Sequence, residues 1–183
     1  MTTLRNVAVI LAGGTGTRVG LSIPKQLIKI AGKTILEHTI SVFNDAPNID
    51  EIIILMAQGH LDPVHAIVRD GAYPKVTQVL EGGVTRNETT SLALAALGDE
   101  ECNVLFHDAV RPLVSQKIIA DVIEALETYE AVDTAIPSAD TVVQVHPERT
   151  GTYDTIEDVL KRDLLRRGQT PQAFRASVIS KAY

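Results

Sequence analysis

A chain of 183 residues, 45% hydrophobic and 22% charged, is long enough for one sizeable core and is ordinary globular material, not a disordered tail. Its formal net charge of −6 argues against a general nucleic-acid surface, and no apolar run approaches the ~20 residues that span a bilayer. The single cysteine, Cys102, permits no intrachain disulfide, and the N-terminus lacks the parts of an export signal, so a cytoplasmic protein is expected.

Residues 7–11 (Val-Ala-Val-Ile-Leu) read as a short buried strand. They run into Ala12-Gly13-Gly14-Thr15-Gly16-Thr17-Arg18, three glycines within four positions. Such a turn lets backbone N–H groups converge on an anion without Cβ atoms in the way. Arg18 and Lys25, the latter in Pro24-Lys25-Gln26, add fixed positive charge beside those amides. The combination predicts a triphosphate site. Two familiar phosphate loops do not fit. A P-loop ending on Gly32-Lys33-Thr34 needs a glycine where Leu27 stands. The dinucleotide fingerprint on Gly14 and Gly16 meets Val19 at its third small position.

Thr34-x-x-Glu37 is a capping-box pattern for a helix to about Asp45, with Ile35, Leu36, Thr39, Ile40 and Phe43 on its apolar face. Residues 52–56 are a second buried strand. Asp62-Pro63 starts a short helix to Arg69, with proline at the first helical position. A third strand over 76–80 precedes Glu81-Gly82-Gly83, and an Ala- and Leu-rich helix runs from about Asn87 to Leu97. A fourth strand, 104–106, ends on His107-Asp108. Ser115 caps a helix reaching Thr128, with Ile118, Ile119, Val122, Ile123 and Leu126 inward. Residues 131–137 and 141–145 are further strands. The alternation predicts an α/β fold, a Rossmann-like and mostly parallel sheet with helices on both faces. Residues 146–162 break the rhythm with Pro147, Gly151 and many charges, and read equally as an extended arm or a surface loop.

Ligands of an open α/β sheet sit outside the carboxyl ends of its strands. Three clusters fall there: Gly13 to Arg18, Gly82-Gly83, and His107-Asp108. Asp108 is either a magnesium ligand or a capping aspartate, since Mg2+ takes one or two carboxylates plus phosphate oxygens and water. Arg111 keeps a cation beside it, as its ion pair or as a phosphate contact. His107 reads as packed at a strand end more readily than as a base. Cys102 has no neighbour in sequence to activate it.

Six motifs follow in order: Leu11-Ala-Gly-Gly-Thr-Gly-Thr-Arg18, Pro24-Lys-Gln26, Gly82-Gly83-x-x-Arg86, His107-Asp-Ala-Val-Arg-Pro112, Asp140-Thr141 and Gln169-Thr-Pro-Gln172. In these the chain resembles the polyol-phosphate cytidylyltransferases, which include the enzymes acting on 2-C-methyl-D-erythritol 4-phosphate and on ribitol 5-phosphate. Gly13, Val110 and residues 131–137 are more similar to the ribitol branch.

The resemblance implies a fold of the nucleotide-diphospho-sugar transferase type, one nucleotidyltransferase domain over 1–183. A projecting β-arm at about 138–162 would pair two copies into a homodimer. It implies CTP and a polyol phosphate as substrates, Mg2+ as cofactor, and no nucleic-acid or membrane partner. Leu11, Ala12, Gly13, Gly14, Thr15, Gly16, Gly82, Gly83, Thr89, Asp108 and Ala109 would bind the nucleotide. Thr89 stands where the family usually has serine. Arg18 and Lys25 would be catalytic, Asp108 the metal ligand, and Arg111, Thr141, Arg162 and Thr170 the holders of the substrate. The family continues past a helix begun near Arg175, so the chain is expected to lack the last part of the domain. A sugar-1-phosphate nucleotidylyltransferase shares the glycine-rich loop, but His107 to Pro112 and Thr170-Pro171-Gln172 argue against it. A silent nucleotide-binding module is the reading of a different class.

Overall fold

A computed structural model describes residues 4–14, 23–148 and 151–183. In β1 (Arg5–Ala12), Val7, Ala8, Val9 and Ile10 are all fully buried, so neither face of the strand meets water. Alternation along the strand sends Ala8, Ile10 and Ala12 into one apolar cluster and Val7 and Val9 into another. Both faces therefore need helices.

The hairpin β2 (Lys29–Ile30) and β3 (Lys33–Thr34) leads into α1 (Ile35–Asn44). Then come β4 (Glu51–Met56), α2 (Leu61–Gly71), β5 (Val76–Glu81), α3 (Arg86–Ala96), β6 (Cys102–Asp108), α4 (Gln116–Ala125) and β7 (Ala131–Pro137). The chain continues with β8 (Val143–Val145), β9 (Ile156–Val159), β10 (Arg166–Arg175) and α5 (Ala176–Ile179). One six-stranded sheet has the order β5-β4-β1-β6-β10-β7. β5, β4, β1 and β6 are parallel, and β10 runs antiparallel to β6. α1, α2 and α4 bring Leu36, Ile40, Phe43, Val64 and Ile119 to the Ala8 and Ile10 side, while α3 brings Ala93 to the Val7 and Val9 side. This is the expected α/β architecture. From β1 the order runs to β4 and β5 on one side and to β6 on the other. The switch point thus lies at the carboxyl ends of β1 and β6.

Local signals held with three adjustments. The Thr34 and Glu37 capping box is formed, Glu37 N donating to Thr34 Oγ1 at 3.1 Å and Thr34 N to Glu37 Oε2 at 2.6 Å. Helix α2 begins at Leu61, which puts Pro63 at the third helical position instead of the first. Proline is tolerated there because no N–H of the first turn has an intrahelical partner to lose. Helix α3 begins at Arg86, one residue before the expected start near Asn87, behind a second capping box of Thr85 with Glu88. Helix α4 is capped by Ser115, whose hydroxyl accepts from Ile118 N, and ends at Ala125 before tighter turns through Thr128.

Contacts divide the chain into two compact units, Met1–Asp133 with Thr170–Tyr183, and Thr134–Gln169. The second unit holds β8 and β9, an antiparallel ribbon with Val143 opposite Val159. Every residue of both strands is exposed. The strand expected over 141–145 is confined to Val143–Val145, and the irregular stretch after it is not a plain loop but returns as a strand.

Candidate active site

The parallel strands end on one rim, and a cavity of about 350 Å³ opens there. Leu11, Ala12, Gly13 and Gly14 line it from the exit of β1, Lys25 from the following turn, Gly83 and Thr89 from the start of α3, and Asp108 and Ala109 from the exit of β6. Residues far apart in sequence converge because the switch point splays the loops after β1 and β6. Thr15, Gly16 and Arg18 lie outside the described residues.

Lys25 opens a three-residue 3-10 turn, Lys25–Leu27. Its Cε lies 3.9 Å from where a Cβ on Gly14 would stand, so the lysine stem runs along the glycine loop. The next residue, Gln26, is buried and donates from Nε2 to the Ala12 carbonyl at the end of β1.

Asp108 carries two guanidiniums. Arg86 Nη1 donates to Oδ1 at 3.0 Å and Arg111 Nε donates to Oδ2 at 2.9 Å. Burial pushes the carboxyl up, but the hydrogen bonds and charge of Arg111 and Arg86 outweigh it and hold Asp108 below the usual carboxylate range. The turn after Asp108 is pinned by side chains. Thr39 Oγ1 on α1 donates to Ala109 O at 2.8 Å, and His107 Nε2 lies 3.0 Å from Arg111 O. Thr170 on β10 meets the same turn, accepting from Asp108 N at 3.5 Å. His107 is fully buried beside the Phe43 ring, and its Nδ1 has no hydrogen-bond partner. Burial lowers its pKa, so it packs as a neutral imidazole and is no base for a ligand in the cavity. Cys102 is buried, and burial pushes its thiol up, away from reactivity.

The glycine pair divides its labour. A Cβ on Gly83 would lie 2.3 Å from Glu88 Cβ, so only glycine lets the loop meet the capping box of α3. Gly82 stands behind the wall instead of in it: its Cβ would press on Thr89 Oγ1 at 3.2 Å and Cγ2 at 3.3 Å. Thr89 is buried and its hydroxyl donates to Thr85 O at 2.9 Å. With that proton committed, the Thr89 oxygen offers lone pairs to a ligand.

Among the described residues no group of three or more His, Cys, Asp and Glu can hold a metal ion. Asp108 by itself is one hard oxygen donor in the cavity wall. That is the kind of donor Mg2+ takes, since it needs only one or two carboxylates beside phosphate oxygens and water. Thr141 and Arg162 are not among the cavity residues. They belong to the second unit, where with Lys161, Asp163 and neighbours they line a separate open cavity. Sequence reasoning missed Arg86 as a partner of Asp108, although the Gly82-Gly83-x-x-Arg86 motif contained it, and gave Gln26 no role.

Comparison with known proteins gives the family. The profile of the IspD family, 2-C-methyl-D-erythritol 4-phosphate cytidylyltransferase, matches residues 6–183. A 2-C-methyl-D-erythritol 4-phosphate cytidylyltransferase of Thermobifida fusca is 44% identical over 181 residues, 98% of this chain and 72% of that protein. The bifunctional ribulose 5-phosphate reductase/CDP-ribitol pyrophosphorylase of Haemophilus influenzae is also 44% identical over 181 residues, 98% of this chain and 37% of that protein. A 4-diphosphocytidyl-2C-methyl-D-erythritol synthase structure from Anaerococcus prevotii superposes with a TM-score of 0.82 at 30% identity, over 98% of this chain and 73% of that one. No helix among the described residues is long and apolar enough to cross a membrane. The chain belongs to the IspD family, nucleotidyltransferases of the cytidylyltransferase class that act on CTP and a polyol phosphate.

Proposed function

We propose that the chain transfers a cytidylyl group from CTP to D-ribitol 5-phosphate, forming CDP-ribitol and pyrophosphate, in the cytoplasm. The observation that carries the choice of polyol is the residue set Gly13, Val110 and Ala131–Pro137, which is similar to the ribitol branch. The 44% identity to the Haemophilus protein supports it. The equal identity to the Thermobifida protein favours a second reading, 2-C-methyl-D-erythritol 4-phosphate as the acceptor. Steady-state kinetics with both polyol phosphates tests the choice. The expected result is at least a tenfold higher kcat/KM for ribitol 5-phosphate, the selectivity of about 1.4 kcal/mol in transition-state binding. A preference for the erythritol phosphate overturns it in favour of the second reading.

The chemistry needs little beyond charge. An oxygen of the acceptor phosphate attacks the α-phosphorus of CTP, and the bond to the β-phosphate oxygen breaks to release pyrophosphate. A phosphate monoester has a second pKa of about 6, so the nucleophile is anionic at neutral pH and no general base is required. The burial of His107 agrees with that. Lys25, Arg18 and the amides of the glycine loop neutralise charge that grows at the crowded phosphorus. Asp108 is the residue that would hold Mg2+, which supplies further neutralisation of the triphosphate when bound. Arg86 and Arg111, which both pair with Asp108, are the cations this reading assigns to phosphate. Thr89 presents an acceptor, which suits the exocyclic amine of cytosine and not the carbonyl of uracil.

Thr141 and Arg162 serve the acceptor phosphate from the second unit. An isolated two-stranded ribbon is marginally stable. β8 and β9 expose Val143, Val145, Ile156 and Val159, apolar surface that a second copy would cover. This supports a homodimer in which the arm of one subunit completes the site of the other.

A further inference from the structure

We infer that Gln26 is the positioning residue that turns Lys25 from a mobile loop lysine into a fixed charge. The inference rests on the catalytic role proposed for Lys25. Lys25 sits in a three-residue turn whose own backbone bonds are Leu27 N to Pro24 O at 2.9 Å and Ile28 N to Lys25 O at 3.2 Å. Two bonds of that kind do not fix a side chain against a cavity, because short 3-10 turns have poor hydrogen-bond geometry.

Gln26 supplies the missing anchor. It is 1% exposed, an unusual burial for a glutamine in a turn. Its amide has two N–H groups, and both are used on the sheet: Nε2 donates to Ala12 O and lies 3.5 Å from Met56 Sδ. Ala12 and Met56 are register partners at the ends of the neighbouring strands β1 and β4. The amide therefore clamps the turn onto the paired ends of two buried strands, one residue from Lys25. Met56 also accepts Gly82 N through its carbonyl at 2.7 Å, so the same residue braces the loop behind Thr89. A lysine stabilises a transition state only if its charge is in place before the charge develops. Without the clamp, Lys25 keeps its charge and loses its place.

Four proteins test this: wild type, Gln26→Leu, Lys25→Met and the double variant, each with its thermal midpoint and its kcat and KM for CTP. Leucine keeps the apolar volume and removes the donors. Because misplacement of about 1 Å can cost about a hundredfold, Gln26→Leu is expected to lower kcat about ten- to a hundredfold and leave KM for CTP within about threefold. The double variant is expected to turn over no more slowly than Lys25→Met, since the clamp has nothing left to position. Losses that multiply in the double variant, or near-normal kcat in Gln26→Leu, overturn the inference. Normal turnover in Lys25→Met overturns the role of Lys25 itself, a separate outcome. Gln26→Met, unbranched and of similar length, serves as a second variant. If neither variant folds, the amide serves the fold and the positioning role is overturned.

Discussion

At single residues the account turns on charge and on space. Lys25→Met and Arg18→Ala each remove stabilisation that grows in the transition state, with an expected loss of roughly 3 kcal/mol, or about a hundredfold in turnover. Turnover assays at saturating CTP check this, and near-normal rates reject the assignment. Two glycines make a sharper contrast. A methyl group on Gly83 meets Glu88 Cβ at 2.3 Å, whereas one on Gly13 meets Thr89 Oγ1 at an ordinary 3.6 Å. Gly83→Ala is expected to cost about 1–3 kcal/mol in denaturant titration, and Gly13→Ala to leave stability nearly unchanged. His107 adds a pH dependence. Its folded pKa lies below its unfolded value of about 6.5, so between the two the unfolded chain binds more protons and stability rises with pH. That contribution is complete above about pH 6.5 and is lost as pH falls through the window. Denaturation midpoints across this range are expected to slope upward in the wild type and to flatten in His107→Gln. The glycine loop and Asp108 were legible because each is a local pattern. The bond from Arg86 to Asp108 was not, because 22 residues separate them and only the folded sheet brings α3 beside the end of β6.

Secondary elements were most legible where one face is buried, although the exposed β8 was still marked by its run of valines. Thr34-x-x-Glu37 announced α1, and Leu36, Ile40 and Phe43 lie on its buried side as their spacing requires. Thr34→Ala is expected to cost about 1 kcal/mol, read as a fall of about 2–4 °C in Tm, with kcat retained. An unchanged Tm would remove the cap from the account. By contrast, β9 is exposed at all its positions, so no apolar alternation marks it. In β10, Arg166, Arg167 and Gly168 hide a strand whose buried residues are Pro171 and Ala173. That strand matters, since it carries Thr170 to the Asp108 turn.

The whole molecule has a formal net charge of −6 and yet is assigned an anionic substrate, so the cations must act locally, at the rim where the parallel strands end. The shared-site dimer is tested by mixing Lys25→Met chains with Arg162→Ala chains. Each heterodimer then holds one site with both lesions and one intact site, so about half of a mixed pair's activity is expected to return. Stable mutants that exchange subunits and recover nothing contradict the exchanged arm. The central claim is that the acceptor phosphate attacks the α-phosphorus of CTP, and the fate of a single label tests it most directly. With CTP labelled in its α-phosphate, ribitol 5-phosphate and Mg2+, the account predicts that the label appears in CDP-ribitol while pyrophosphate leaves unlabelled. Label retained in free CDP with release of inorganic phosphate, or no transfer to either polyol phosphate, would contradict it.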